Sequence, residues 1–145
     1  MPEHSCRAGR LALPASTFAL SLAFSLACFP VGAAAPADVA NKKYPDVVSV
    51  KVQPRGPTTF DFEVTVSSPY DSPSRYADAF RVMGEGGKVF GVRELGHDHA
   101  GEQPFTRDLH GVSIPPGVID VQVQGRDQQY GWGGKKARVR LPGRQ

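Results

Sequence analysis

The sequence predicts an all-β domain, and three observations carry the prediction. Brief apolar segments alternate with polar residues at period two, almost no stretch has helical period, and Gly, Pro, Ser and Asp separate the segments. Proline use agrees: Pro54, Pro57, Pro69, Pro73, Pro104, Pro115, Pro116 and Pro142 fall at segment ends or in connections, where a missing N–H breaks no ladder bond.

Seven strands follow in order. Val47 to Val52 is the first. Phe60 to Val66 is the clearest half-buried strand, with Phe60, Phe62, Val64 and Val66 on one face against Asp61, Glu63 and Thr65. Tyr76 to Met83 is the third; Tyr76 and Phe80 stand four apart with alanines between them, so a single helical turn at its start is the one helical possibility. Lys88 to Leu95 pairs with it through Gly84-Glu85-Gly86-Gly87. Phe105 to Leu109 is the fifth, Val118 to Gly125 the sixth with Ile119, Val121 and Val123 alternating, and Ala137 to Leu141 the seventh, preceded by a glycine-rich loop, Tyr130 to Gly134. Seven strands at this spacing suggest a single sandwich of two sheets.

Residues 1–37 have the layout of a cleaved signal peptide: Arg7 and Arg10, an apolar stretch from Leu11 to Phe29, then the small-residue run Gly32 to Ala37. Pro14 and Pro30 interrupt the stretch, which argues against a membrane span of about 20 apolar residues. Residues 38–46 form a polar leader and 47–145 the domain. Both cysteines, Cys6 and Cys28, leave with the signal, so a cysteine nucleophile, a thiolate ligand and a disulfide are excluded from the exported part. Ser25-Leu26-Ala27-Cys28 loosely resembles a bacterial lipoprotein signal, but Ser25 stands where that signal normally has leucine, so no lipid anchor at Cys28 is expected. The expected location is periplasmic or secreted.

From Asp38 onward 15 Lys and Arg face 13 Asp and Glu, a near balance that predicts neither nucleic-acid nor membrane-surface binding. Arg126, Lys135, Lys136, Arg138, Arg140 and Arg144 crowd the last 20 positions, which reads as a solvated strand face or tail.

The segment Val112-Ser113-Ile114-Pro115-Pro116-Gly117 leading into the alternating Val118 to Gly125, with Tyr130-Gly131-Trp132-Gly133-Gly134 beyond it, resembles the end of a fibronectin type III or immunoglobulin-like domain. The corner tyrosine and the strand-C tryptophan of such domains are absent. The run His97 to Arg107, taken with Tyr76-Ala77-Asp78 and Gly131-Trp132-Gly133-Gly134, resembles a family of small, uncharacterised exported bacterial proteins over residues 47–141. That resemblance implies fold and export and supplies no activity.

The exported part carries three histidines, all within one run: His97, His99 and His110. On an extended segment His97 and His99 share a face about 6.6 Å apart, which suits convergence on Zn or Cu(II), with a carboxylate from Glu102 or Asp98, and His110, as candidate further ligands. Strand alternation turns His110 outward with Thr106 and Asp108 if Phe105 and Leu109 face the core, so it joins the pair only through a folded-back loop. The competing reading is two solvated loop histidines and a strand-end His110. Arg107, Tyr130 and Trp132 are the alternative candidates, for a protein or glycan partner; against this, Trp132 would plug the core and Arg107 would pair with Asp78 or Asp127. Ser113, His110 and Asp108 lie close in sequence, but proximity supplies neither a positioned nucleophile nor an oxyanion hole. A non-catalytic binding module is the resulting expectation, with a metal-dependent enzyme as the third possibility.

Overall fold

The computed structural model describes residues 42–145, so the proposed signal peptide, Cys28 and the first part of the leader lie outside the described residues. Seven strands form, β1 (Asp46–Pro54), β2 (Thr59–Ser67), β3 (Ala77–Gly84), β4 (Val89–Glu94), β5 (Phe105–Ser113), β6 (Asp120–Asp127) and β7 (Gly131–Arg140). They make two antiparallel sheets, ordered β1-β2-β5 and β4-β3-β6-β7. Among the described residues there is no helix, and so none long and apolar enough to cross a membrane.

One hydrophobic cluster draws on both sheets. Strand β2 supplies Phe60, Phe62, Val64 and Val66, the face its alternation marks out, and they meet Phe80 and Val82 of β3 and Val121 and Val123 of β6. Burying such a side chain stabilises the fold by about 1.5–3 kcal/mol, so these eight anchor the layers. Pairing in β5 is irregular: Phe60 faces Val112 but Phe62 faces Leu109, which leaves His110 and Gly111 opposite Asp61. Gly111 sits at φ 68°, a conformation glycine adopts without strain. The extra residue keeps Leu109 and Val112 on one face, where both crowd Gly91 of β4.

Four expectations need correction. Residues 77–80 are strand and not helical turn, because they pair with β6 on one side, Ala77 with Asp127 and Phe80 with Gly125, and Phe80 pairs with Arg93 of β4 on the other. Strand β6 starts at Asp120 and not Val118, since residues 115–118 close a turn in which Val118 N donates to Pro115 O. Strand β5 continues past Leu109 to Ser113 through the bulge. From Gly131 onward the glycine-rich segment is strand β7 and not a loop.

The reason for that last difference lies in the leader. Tyr44 and Pro45 cross the β6–β7 pair where a Cβ on Gly133 or Gly134 would overlap them, and one on Gly125 would come within 2.7 Å of Pro45. The glycines make room for a strap. It is tied by Lys135 N donating to Asp46 Oδ1 at 2.8 Å and by a Lys42–Asp46 ion pair at 2.7 Å.

Antiparallel order puts residues 42–45 and the loops 68–76, 95–104 and 128–130 at one end, the leader end. Residues 55–58, 85–88, 114–119 and 141–145 close the opposite, tail end.

Candidate functional site

The histidine run divides between two places. His97 and His99 sit in the β4–β5 loop at the leader end. His99 is buried, its ring stacked on Phe105 with centroids 3.9 Å apart and planes at 13°. His97 is exposed and lies beside it, ring centroids 4.8 Å apart, with its Nδ1 2.8 Å from the carbonyl oxygen of Asp98. Burial, with Arg107 and His97 adding positive charge, pushes the His99 imidazole below its ordinary pKa.

The loop is held by its neighbours. Gln103 accepts from Ser68 N at 2.7 Å and donates to His99 O at 3.2 Å, joining the β4–β5 and β2–β3 loops. Asp71, from the β2–β3 loop, accepts from Ala77 N through Oδ1 at 3.0 Å and from His99 N through Oδ2 at 3.1 Å. The same Oδ2 stands 4.0 Å from His99 Nδ1, with the two side chains 0% and 2% exposed. His99 Nδ1 is buried with no hydrogen-bond partner.

Glu102 and His110 do not join them. Glu102 pairs with Arg107 at 2.8 Å, which lowers the Glu102 pKa. His110 points off the outer face of the β1-β2-β5 sheet, Nδ1 3.0 Å from Asp61 and Nε2 4.0 Å from Asp108. Among the described residues no three His, Cys, Asp or Glu side chains are placed so that they could hold a metal ion.

The expected partners of Arg107 belong to others. Asp78 pairs with Arg126 at 2.8 Å, and Asp127 with Arg75 at 3.1 Å. Trp132 does not plug the core: it pairs with Arg126 on β6 and lies half-buried against two guanidinium groups, Arg81 at 4.3 Å and Arg126 at 5.2 Å from its ring. Arg81 sits between the core residues Phe80 and Val82, so this stack covers the outer face of the four-stranded sheet. Tyr130, half exposed, packs edge-on to Tyr44 and 4.8 Å from the Arg75 guanidinium.

Arg75 fastens the strap. It donates to the carbonyls of Lys42 and Lys43, both at 2.9 Å, bonds the fully buried Asp127, and stacks on Tyr70 at 4.1 Å. Asp127 also accepts from Gln129 N and Tyr130 N, shaping the β6–β7 turn. The Tyr70 hydroxyl is buried without a partner, and burial and the nearby Asp127 push its pKa up.

Sequence reasoning missed Asp71, Gln103 and Arg75. All three read as turn residues, and their partners lie 28, 35 and 52 positions away, beyond the reach of local pattern.

No family model matches the chain, and no solved structure matches it. It is similar to a protein of Halomicrobium mukohataei described as "Putative lipoprotein", 38% identical over 90 residues, or 62% of this chain and 44% of that protein. The chain thus spans less than half the length of this relative.

Proposed function

We propose that this is an exported, cell-envelope protein acting as a non-catalytic binding module, with a divalent metal ion, Zn or Cu(II), as ligand at His97 and His99. The observation that carries the reading is the His99 imidazole, buried with an unpartnered Nδ1 while His97 lies alongside in solvent. Buried polar atoms are nearly always satisfied, so an orphan beside a second metal-competent ring supports a ligand role for the pair.

Export is supported by the signal-like residues 1–37 and by the lipoprotein description of the Halomicrobium relative. A fibronectin III-like sandwich is supported by strand order. In constant-type immunoglobulin domains the fourth strand joins the sheet of the first, second and fifth; here β4 pairs with β3 in the other sheet.

Recognition of a protein or glycan by Arg107, Tyr130 and Trp132 has less support, because Glu102, Arg75 and the Arg81–Arg126 pair already engage those side chains. Calorimetric titration of the purified protein with Zn(II) and Cu(II) separates the readings. One equivalent is taken up, and His97→Ala with His99→Ala abolishes uptake. Absence of binding at micromolar metal, with a partner lost on Trp132→Ala, would transfer the function to the alternative surface. Metal-dependent turnover that vanishes with the same histidine changes would make it an enzyme.

A further inference from the structure

Two imidazoles alone hold a divalent cation poorly, and the other sequence-derived ligands are engaged elsewhere: Glu102 by Arg107, His110 by Asp61, and Asp98 by the Ala100 N–H at 3.3 Å. We propose that Asp71 is the third protein donor, completing with His97 and His99 a site for Zn(II). The proposal rests on the metal-binding reading above and deepens it.

Asp71 reaches the site from a different loop. Its carboxylate is fully buried and accepts two backbone N–H groups, which still leaves lone pairs, since a carboxylate has about four acceptor sites. Oδ2 faces His99 Nδ1 across 4.0 Å, beyond hydrogen-bond length. A neutral imidazole carrying its proton on Nδ1 would close on such an acceptor to about 2.9 Å. It has not done so, and Nδ1 is left without a partner 4.0 Å from an oxygen that keeps a spare lone pair. A cation between them satisfies both. With Zn–N and Zn–O bonds of about 2.1 Å, N and O lie about 4.2 Å apart in line and about 3.4 Å apart at a tetrahedral angle. The observed 4.0 Å falls between these limits.

His97 is prepared for the same role. Its Nδ1 lies 2.8 Å from the Asp98 carbonyl. A backbone carbonyl accepting Nδ1–H is the usual device that fixes a metal-binding tautomer and leaves Nε2 as the donor. Imidazoles sharing one zinc place their ring centres about 5 Å apart, and here the separation is 4.8 Å. His97 must shift to bring Nε2 onto the ion, and because it is exposed little buried packing opposes that shift; water takes the fourth position. Two nitrogens and one carboxylate suit zinc; calcium and magnesium require more oxygen donors.

The test is a Zn(II) titration of wild-type protein and Asp71→Asn, read by calorimetry and by Co(II) substitution, whose visible spectrum reports a tetrahedral site. Asp71→Asn is expected to weaken Zn(II) on the order of 100-fold. Because that change also places an amide among two backbone donors, a second measurement uses wild type alone: Zn(II) shifts the Asp71 carboxylate ¹³C and His99 ¹⁵N signals together. Tight Zn(II) binding with an unshifted Asp71 carbon, or a folded Asp71→Asn that binds as wild type does, overturns the proposal and leaves the metal reading standing. Failure of wild type to take up Zn(II) while it takes up Cu(II) overturns the proposal alone; failure to take up either metal overturns both.

Discussion

The two ends of this domain are closed by different chemistry. The tail end is shut by apolar groups, with Phe60, Ile114 and Leu141 fully buried, and by Arg144, which reaches back to the carbonyls of Pro57, Ile114 and Pro115. At the leader end Ser68, Asp71, His99 and Asp127 are buried among three loops and a strap. Apolar burial is non-directional and tolerates approximate geometry, whereas a polar closure depends on each donor meeting its acceptor. The tail end is therefore a foundation, and the leader end is where the buried Tyr70 hydroxyl and His99 Nδ1 lie without partners.

The largest effect belongs to the foundation. Phe60→Ala removes a fully buried ring beneath Arg144 and costs about 3–5 kcal/mol, read as a lower urea midpoint at unchanged slope. Asp71→Ala comes next: it strands the Ala77 and His99 N–H groups and costs about 2–4 kcal/mol. If Asp71→Ala costs no more than an exposed substitution, the leader end is not held by this carboxylate, and the contrast between the ends dissolves.

The same contrast explains what was legible in the sequence. Strand β2 writes its buried face in its own alternation, and the Pro115-Pro116 turn announces itself, because apolar periodicity and turn chemistry are local signals. The leader end is assembled from partners distant in sequence, so the His97/His99 pair could be found and Asp71 could not. The glycines of β7 resist local reading for the same reason: in sequence they resemble a loop, whereas Gly133 and Gly134 are small to admit Tyr44 and Pro45, almost 90 positions earlier. Trp132 was misplaced because a lone aromatic between glycines carries no sign of which face it takes; Arg81 and Arg126 decide that.

A matched pair of glycines sharpens the comparison. Gly133→Ala forces the Tyr44 ring off β7, loosens the strap and costs about 1–3 kcal/mol, while Gly117→Ala at the tail end meets open space. Trypsin at Lys42 and Lys43 reads the difference directly, with faster cleavage in Gly133→Ala only. Equal rates would mean that the strap is not seated on those glycines.

The smallest effect tests the bulge that separates His110 from the other two histidines. The Gly111 N–H donates to Asp61 at 2.8 Å and, with Arg55 and His110, lowers that carboxyl from 3.8 to about 2. Because the folded pKa is depressed, the stabilisation is fully present above pH 3.8 and fades as pH falls toward 2, where the unfolded chain takes up the proton first. Wild type and Asp61→Asn should therefore differ in urea midpoint at pH 5 and draw together as pH falls through this window. Parallel curves would mean that Gly111 does not hold Asp61. The bulge would then lose its anchor, and with it the reason that His110 is turned onto the sheet face, away from His97 and His99.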